Sequence, residues 1–399
     1  MKIAGVVAEY NPFHNGHKYQ VEQMRKSGAT HTVAVMSGNF VQRGEFAIAS
    51  KWLRAKTAVM NGIDLVIELP SSYALLSAQG FAQSAVYILN ALGCVDELYF
   101  GCECGDVDRI KSISKAMLSD EFSHKLSDFI SNGISYPTAV EKAVCEIVGE
   151  SYNNELKMPN NLLATEYVNA LTKFNSSIEP RAIERVGVEH DSVGSSGEFM
   201  SASAIRQSLK NQGLEAVCNF VPTSAYEAMK LANKDGKSPC DYGKLELAFL
   251  AKLRALSVED FRAVPDVSEG LENIIFDAIK SSKSVEEIIE KIKTKRDTHS
   301  RIRRIIMRSF LGLTADYSTP PPPYARILAL NERGREIIKK AKESASIPII
   351  TKSAHILKLE DDFARKLFSK ENELTDIFSL SYPEISPCGA EFTENLYIG

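Results

Sequence analysis

Short apolar runs alternate with amphipathic segments along the first hundred residues of the chain. The apolar runs are rich in valine, isoleucine and leucine, and they read KIAGVVAEY, THTVAVMSG, DLVIELP and VDELYFGCE. The segments between them carry apolar residues at helical spacing and end at Gly28, Gly62 and Gly93, as helices commonly do. This alternation predicts βαβ units with right-handed crossovers. We therefore expect an α/β fold whose Rossmann-like, doubly wound parallel sheet is covered on both faces.

The pattern changes further along the chain. PRAIERVGV restores strand character, and a loop rich in glycine and serine then leads into a helix near Ala202. After the polar, turn-rich segment NKDGKSPCDYG the chain is mainly helical. Four consecutive prolines precede a tail with strand–helix–strand character. We predict a first, α/β domain at 1–234 and a second, mainly α-helical domain at 235–399.

The composition is that of a soluble globular protein. Of the 399 residues, 44% are hydrophobic and 25% are charged, and the net charge of -4 excludes a strongly basic protein. No apolar stretch approaches the roughly 18 residues of a membrane span, and the N-terminal run is too short for a secretory signal. Seven scattered cysteines do not suggest a disulfide framework. Cys102 and Cys104 form half of a zinc-site pattern that no second close pair completes. These features predict a cytoplasmic protein.

The loop after the first predicted strand places His14 and His17 on either side of Gly16. It opens a predicted helix, whose free N–H groups form a binding site for an anion. Imidazoles at positions i and i+3 project to the same side, and glycine lets the backbone approach a ligand closely. Gly38 and Gly101 also follow predicted strands, so one edge of the sheet gathers all these residues. We interpret the loop as a phosphate-binding site for a nucleotide; a turn with solvated histidines is the alternative.

A second polar segment, FMSASAIRQ, starts the helix near Ala202. Ser201 and Ser203 supply hydroxyl groups at the helix N-terminus, and Arg206 adds a charged planar fork that suits phosphate. We expect these groups to contact the β- and γ-phosphates of the nucleotide. An ordinary helix N-cap is the alternative interpretation.

These two motifs, in this order, resemble those of the nucleotidylyltransferase superfamily, whose HIGH-type motif binds the α- and β-phosphates of ATP. The resemblance narrows to one family through the segments GVVAEYNPFHNGHKYQ, SGNFVQRGEFA, KWLRAKTAVMNGIDLVIELP, YFGCECGD and MPNNLLATEYVNAL. Essentially the whole chain is similar to the bacterial tRNA(Met) cytidine acetate ligase family. The resemblance implies that ATP activates acetate to acetyl-adenylate with release of pyrophosphate. The acetyl group is then expected to pass to N4 of the wobble cytidine of elongator tRNA(Met), forming N4-acetylcytidine.

The resemblance also implies which residues bind ATP. They lie in the segment 7–20, at Gly101, in the PNN stretch and at Arg185, and the second motif adds its polar members. The adjacent Asn160 and Asn161 leave open which of the two makes the contact. The expected ATP-binding residues are Val7, Glu9, Tyr10, Asn11, Pro12, Phe13, His14, Asn15, Gly16, His17, Gln20, Gly101, Asn160, Asn161, Arg185, Ser201, Ser203 and Arg206.

Attack of a carboxylate on the α-phosphate requires alignment and charge neutralisation more than a protein nucleophile. We expect His14 and His17 to stabilise the transition state and Lys18 beside them to contact a phosphate, so these are the predicted catalytic residues. Mg²⁺ is expected to accompany ATP, with ligands that the sequence does not identify. The SGNFVQRG loop is a candidate wall of a small acetate pocket; a solvated Arg43 is the alternative.

A basic segment in the helical region, KIKTKRDTHSRIRRIIMRSF, is a candidate RNA-binding surface. Arg301, Arg304 and Arg308 fall at i, i+3 and i+7, so they share one helix face, while the intervening isoleucines can face the core. A solvated face that pairs with the nearby acidic helix is the alternative. The expected RNA-binding residues are Lys293, Lys295, Arg296, Arg301, Arg304 and Arg308.

Two other functions use the same motifs. A small-molecule adenylyltransferase would share every nucleotide-binding residue but would leave the basic helix without a role. A nucleotide-sensing RNA-binding protein without turnover would need no transition-state stabilisation from the histidines. For the ligase we expect tRNA(Met) and acetate as partners, no membrane, and no obligate protein partner.

Overall fold

The computed structural model describes residues 1–184, 199–268, 270–293 and 298–399. Its strands are β1 (Ile3–Ala8), β2 (His31–Ser37), β3 (Phe40–Val41), β4 (Glu45–Phe46), β5 (Leu65–Leu69), β6 (Glu97–Cys102), β7 (Glu179–Glu184), β8 (Ala325–Leu330), β9 (Ile349–Ile350) and β10 (Tyr397–Ile398). Strands β3 and β4 pair with each other as an antiparallel hairpin. The remaining strands form one sheet.

The helices fall into three stretches of the chain. Those up to residue 173 are α1 (Asn15–Lys26), α2 (Lys51–Met60), α3 (Ser71–Ala74), α4 (Ala78–Ala91), α5 (Val107–Met117), α6 (Asp120–Ser131), α7 (Tyr136–Val148) and α8 (Pro159–Lys173). The middle stretch holds α9 (Ala202–Gln212), α10 (Thr223–Lys234), α11 (Glu246–Ala255), α12 (Val258–Arg262), α13 (Leu271–Ser281), α14 (Val285–Ile292) and α15 (His299–Leu311). The last is α16 (Glu332–Ser344), α17 (Ser353–Ile356), α18 (Asp362–Ser379) and α19 (Ala390–Thr393).

The sheet runs in the order β10-β8-β5-β2-β1-β6-β7, with β9 beside β8. Every pair in it is parallel except β5 with β8. Because strands β1, β2, β5 and β6 connect through helices, the predicted doubly wound α/β fold is confirmed. The antiparallel pairing of β8 with β5 is an addition to this fold that the sequence did not predict.

Successive residues of the central strands pack on opposite faces of the sheet. In β2, Val33 and Val35 join the cluster that contains helices α4 and α8, whereas Ala34 and Met36 join the one that contains α1 and α2. All four side chains are fully buried. A strand buried on both faces reads as a continuous apolar run, which is why the pattern identified it.

The end of the chain returns to the sheet. The tail predicted as strand–helix–strand is present as β8, α16 and β9, but it extends the sheet of the first region instead of belonging to the helical one. Leu330 pairs with Leu65, and β10 then pairs with β8. The second region is therefore not helical throughout. A division into domains at residue 234 stays a prediction.

Helices α11, α13, α14 and α15 pack around a separate apolar core. The β3–β4 hairpin belongs to this core through Phe40 and Phe46, which contact Phe378 of α18. At the hairpin turn, Gly44 has a φ of +77°, and a Cβ there would lie 2.6 Å from backbone atoms of Arg303 and Arg304. The hairpin thus joins the carboxyl end of β2 closely to α15.

A buried ion cluster lies under this hairpin. It consists of Lys51, Glu68, Arg326, Glu371 and Glu391, all less than 6% exposed. The Lys51 ammonium contacts Glu68 at 2.6 Å and also Glu391, and Arg326 contacts the same two carboxylates. Buried charges are tolerated when they are paired in this way. These ion pairs therefore fix α19 to β5, to β8 and to the first residue of α2.

Glu371 gives this cluster a measurable pH dependence. Its carboxylate accepts hydrogen bonds from the backbone N–H and hydroxyl of Ser71, but burial and then the charge of Glu68 raise its pKa to about 7. The other titratable groups that affect it are Lys51 and Glu391, while Tyr73 and Tyr324 lie near enough to be affected by it. A carboxyl group whose pKa is raised by folding destabilises the protein as the pH rises from 4.5 to about 7.

We therefore expect Glu371→Gln to stabilise the protein above pH 7 by about 2–3 kcal/mol, and to change stability little near pH 4.5. Urea denaturation between pH 4.5 and 8.5 measures the difference. Glu373→Gln, an exposed position on the same helix, is the matched control and should show no such trend. A difference that is constant with pH would contradict the titration of Glu371.

Candidate functional site

A cavity of about 270 Å³ lies at the carboxyl ends of β1 and β6, next to the start of α1. This is the edge of the sheet where ligands bind in open α/β folds. Ten of the expected ATP-binding residues line it: Val7, Glu9, Tyr10, Asn11, His14, Gly16, His17, Gln20, Gly101 and Asn160. The lining that sequence analysis did not assign to ATP is Ala8, Tyr19, Gln42, Arg43, Phe81, Phe100, Leu163, Tyr167, Ile183, Glu184 and Ala202.

The two histidines cap the helix that they begin. His14 is the N-cap of α1, and its Nδ1 accepts the backbone N–H of Gly16 at 3.0 Å. The Nδ1 of His17 accepts the backbone N–H of His14 at 3.3 Å. Acceptance at both Nδ1 atoms selects, for a neutral imidazole, the tautomer with its proton on Nε2. The rings stack with centroids 3.8 Å apart, so the geometry presents two N–H donors side by side.

The loop between β1 and α1 is strained and firmly anchored. Tyr10 has a φ of +45°, a conformation that residues with side chains rarely adopt outside functional sites. Asn11 Oδ1 accepts the backbone N–H of Ile48 at 2.7 Å, and Asn15 binds the backbone of Asn219 and Phe220. The Tyr10 hydroxyl is buried without a hydrogen-bond partner among the described residues, and burial raises the pKa of Tyr10.

Arg54 holds the ends of the first two strands together. Its buried guanidinium donates to the carbonyl of Glu9 at 2.6 Å, to that of Ser37 at 3.1 Å and to that of Gly38. Burial lowers its pKa to about 10. Nothing in the sequence distinguishes this residue, because an arginine in an amphipathic helix ordinarily faces solvent.

The adjacent Asn160 and Asn161 lie in different environments. Asn160 lines the cavity, and its Nδ2 donates to Glu103 at 2.5 Å. Asn161 is 1% exposed, and its Oδ1 accepts the backbone N–H groups of Glu103 and Cys104. Asn160 is therefore the cavity-facing member of the pair, and Asn161 bonds to the backbone of the Glu103 segment beside it.

The FMSASAIRQ segment mainly supports the loop between β1 and α1, and little of it lines the cavity. Ser201 is the N-cap of α9, as the alternative interpretation allowed, and its hydroxyl lies 3.1 Å from that of Ser203. Arg206 donates to the backbone carbonyl of Asn11 at 3.0 Å and lies 3.7 Å from Glu45. Of this segment, Ala202 lines the cavity.

Four other predicted residues lie outside the cavity lining. Pro12 and Phe13 are buried residues of the loop itself, Asn15 bonds to the Asn219–Phe220 backbone, and Lys18 has an exposed side chain on the first turn of α1. Their contacts with a nucleotide stay predictions. Arg185, Lys295 and Arg296 lie outside the described residues.

The prediction that α15 presents an RNA-binding face is wrong for two of its three arginines. Arg308 is 1% exposed and donates to the carbonyls of Ser72, Leu313 and Thr314. Arg304 is 7% exposed and lies 3.5 Å from Asp266. The helix face that carries Arg301, Arg304 and Arg308 is thus largely packed against the protein. Guanidinium groups there donate to backbone carbonyls for which apolar side chains offer no hydrogen-bond donor. Arg301 is half-buried and binds the Asp266 carbonyl, while Lys293 is exposed.

We expect Arg308→Ala to destabilise the protein by about 3–5 kcal/mol, because it leaves buried carbonyl groups without donors. Urea denaturation measures this loss. Arg303→Ala is the matched control on the same helix: its partly exposed ion pairs with Glu45 and Glu286 should contribute at most about 1 kcal/mol. Near-normal stability of Arg308→Ala, with a loss of RNA affinity, would restore the original interpretation.

No group of three or more histidine, cysteine, aspartate or glutamate side chains among the described residues is placed to hold a metal ion. Within the same ranges, none of the helices combines the length and apolar character needed to cross a bilayer.

Known proteins resemble this chain along its full length. The family model of HIGH nucleotidyl transferases matches residues 1–391. The tRNA(Met) cytidine acetate ligase of Acetivibrio thermocellus is 36% identical over 414 residues, covering 100% of both chains. That of Caldicellulosiruptor saccharolyticus is 39% identical over 391 residues, covering 96% of this chain and 95% of the other.

Solved structures are also similar to this chain along its full length. Apo Thermotoga maritima TmcAL superposes with a TM-score of 0.95 at 31% identity, and the form bound with alpha-thio ATP with a TM-score of 0.93 at 31%. Each match covers 100% of this chain and 99% of the other. The chain belongs to the HIGH nucleotidyl transferases and, within them, to the tRNA(Met) cytidine acetate ligase family. The resemblance drawn from the sequence is confirmed, as is the classification as a ligase.

Proposed function

We propose that this protein activates acetate with ATP and transfers the acetyl group to N4 of the wobble cytidine of elongator tRNA(Met). The observation that carries the proposal is the stacked His14–His17 pair, whose Nδ1 atoms both accept backbone N–H groups at the start of α1. The names of the full-length relatives support the choice of acetate and tRNA(Met).

The chemistry follows from this geometry. A carboxylate oxygen of acetate attacks the α-phosphorus of ATP, the bond to the β-phosphate breaks, and pyrophosphate leaves. The Nε2–H groups of His14 and His17, with the N-terminus of α1, stabilise the negative charge that grows on the α-phosphate oxygens. N4 of cytidine then attacks the acetyl carbonyl, loses a proton, and AMP leaves. No step requires a protein nucleophile.

The expected ATP-binding residues take two roles in this proposal. Those that line the cavity contact the nucleotide directly. Pro12, Phe13, Asn15, Asn161 and the Ser201–Ser203–Arg206 motif hold the loop and Asn160 in place, as their hydrogen bonds and burial indicate. Arg185 and Lys18 stay predicted phosphate or nucleotide contacts.

Acetate is proposed to bind beside the β3–β4 hairpin. Gln42 and Arg43 of its turn line the cavity, and the backbone N–H of Gln42 donates to Glu9 at 2.9 Å. Phe81 also lines the cavity. Exclusion of a longer acid by such a wall is worth about 1–3 kcal/mol for one methylene group.

Magnesium is proposed to arrive with the nucleotide. The described residues do not supply a dedicated set of acidic ligands, and Mg²⁺ in such sites is commonly held by phosphates, waters and one or two carboxylates. We therefore treat it as part of the substrate and assign it no step. Because the acceptor is a tRNA, we propose that the protein works in the cytoplasm.

For the RNA, Lys293 and Arg301 remain candidate phosphate contacts, and Lys295 and Arg296 stay predictions from the sequence. The buried Arg304 and Arg308 take no part in the proposal. The tRNA-binding surface is therefore smaller on α15 than the sequence indicated.

The test combines purified protein, ATP, Mg²⁺ and radiolabelled acetate with bacterial tRNA or with no RNA. Label that maps to the wobble cytidine of tRNA(Met) supports the ligase. Acetate-dependent ATP–pyrophosphate exchange without label in RNA would contradict the acceptor and favour a small-molecule adenylyltransferase. Neither signal, from protein that binds ATP, would favour the binding protein without turnover.

A further inference from the structure

A pair of thiols lies next to the cavity and has no part in the proposed reaction. Cys102 is the last residue of β6, and Cys104 lies two residues further, where the chain bends toward α5. Their Sγ atoms are 3.8 Å apart. Cys102 is fully buried, whereas Cys104 is partly exposed.

Glu103, between the two cysteines, is bonded to the asparagine pair of α8. Its Oε1 accepts the Nδ2 of Asn160 at 2.5 Å, and its Oε2 accepts the backbone N–H of Asn161 at 2.9 Å. In return, Asn161 Oδ1 accepts the backbone N–H groups of Glu103 and Cys104, at 2.8 and 3.3 Å. The peptide that carries Cys104 thus helps to position Asn160 at the cavity, on the side where Gly101 also lines it.

The two thiols differ in reactivity. The hydrogen bond with Cys102 lowers the pKa of Cys104 to about 7, whereas the same bond and then burial raise the pKa of Cys102. The accessible sulfur is therefore the better nucleophile, and the buried one lies within reach to resolve its oxidised form.

We propose that Cys102 and Cys104 are an oxidation site, which a peroxide converts to an intrachain disulfide that weakens nucleotide binding. The Cys104 thiolate attacks one peroxide oxygen and forms a sulfenic acid, and the other oxygen leaves as water. The Cys102 sulfur then attacks the Cys104 sulfur, and the hydroxyl group leaves with the Cys102 proton as a second water. Two thiols thereby lose two electrons to one peroxide.

Closing the bond must move the peptide between the cysteines. A disulfide requires an S–S distance of about 2.05 Å, well below the present separation. The Cys104 backbone cannot follow its sulfur without disturbing the N–H groups held by Asn161, and Glu103 moves with them. Asn160 then loses its fixed orientation. The effect on binding rests on the proposed function, since it assumes that ATP occupies this cavity.

The test uses full-length protein with the two exposed cysteines removed, C218S/C388S. Hydrogen peroxide is added, peptides are mapped by mass spectrometry without reduction, and ATP affinity is measured by calorimetry before oxidation, after it, and after dithiothreitol. We expect a Cys102–Cys104 linked peptide and a fall in ATP affinity of about tenfold, as for the loss of one good hydrogen bond, reversed by dithiothreitol. C104S in the same background should keep its ATP affinity in peroxide.

The inference is overturned if no linked peptide forms, or if a linked peptide forms and ATP affinity is unchanged. A peroxide effect that persists in C104S also overturns it, because the lesion then lies elsewhere. Failure of the reduced protein to bind ATP would instead count against the proposed function, while the peptide map would still decide whether the disulfide forms.

Discussion

Replacing His14 by alanine is expected to slow acetate-dependent ATP–pyrophosphate exchange by about 10²–10³-fold, while ATP affinity changes far less. In the proposed reaction the imidazole Nε2–H stabilises the charge that develops on the α-phosphate, so its loss is felt mainly in the transition state. Exchange kinetics and calorimetric ATP affinity measure the two quantities separately. Since His14 is also the N-cap of α1, alanine additionally costs about 1 kcal/mol of stability.

Two further variants separate capping from catalysis. Asparagine keeps an acceptor near the position of Nδ1, so His14→Asn should preserve the cap but be as slow as the alanine variant. Glutamine places its amide near the position of Nε2, so His14→Gln should recover part of the rate. Full activity of His14→Asn would show that His14 is only a helix cap, and would contradict its proposed role in stabilising the adenylation transition state.

The features that the sequence could predict are those that depend on the local pattern of residues. The runs that became β1, β2, β5 and β6 are apolar on both faces, and this property is visible without any contact information. The His14–Gly16–His17 spacing at a strand-to-helix junction likewise defines its own geometry, because the capping bonds are made within four residues.

The features that the sequence could not predict depend on contacts between distant segments of the chain. Nothing within its helix shows that Arg54 meets the carbonyls of Glu9 and Gly38, which are supplied by two other segments. Arg308 looks like any basic surface residue until α15 packs against Ser72. The pairing of β8 with β5 joins segments some 260 residues apart, so a strand pattern in the tail could not reveal which sheet it would join.

The buried ion cluster also depends on contacts between distant segments of the chain. A substitution in it gives the second large effect that we expect. Lys51→Met removes the ammonium group that contacts Glu68 and Glu391, and leaves both buried carboxylates to Arg326 alone among their ion-pair partners in the described residues. We expect a loss of about 3–5 kcal/mol at pH 7, measured by urea denaturation. Because α19 and α2 meet through these contacts, the carboxyl-terminal segment should become sensitive to proteolysis first.

The pH dependence of this loss distinguishes a charge effect from a packing effect. Burial alone would raise the pKa of Glu391, but Lys51 and Arg326 outweigh it and hold that pKa at about 2, below the usual 4.5. The stability that Glu391 provides is therefore present above pH 4.5 and is lost as the pH falls toward 2. In Lys51→Met this contribution is reduced, so the difference from the native protein should shrink below pH 4.5. The double variant Lys51→Met/Glu391→Gln removes both charges and should recover much of the loss at pH 7, whereas a packing defect would leave the double variant at least as unstable as the single one at every pH.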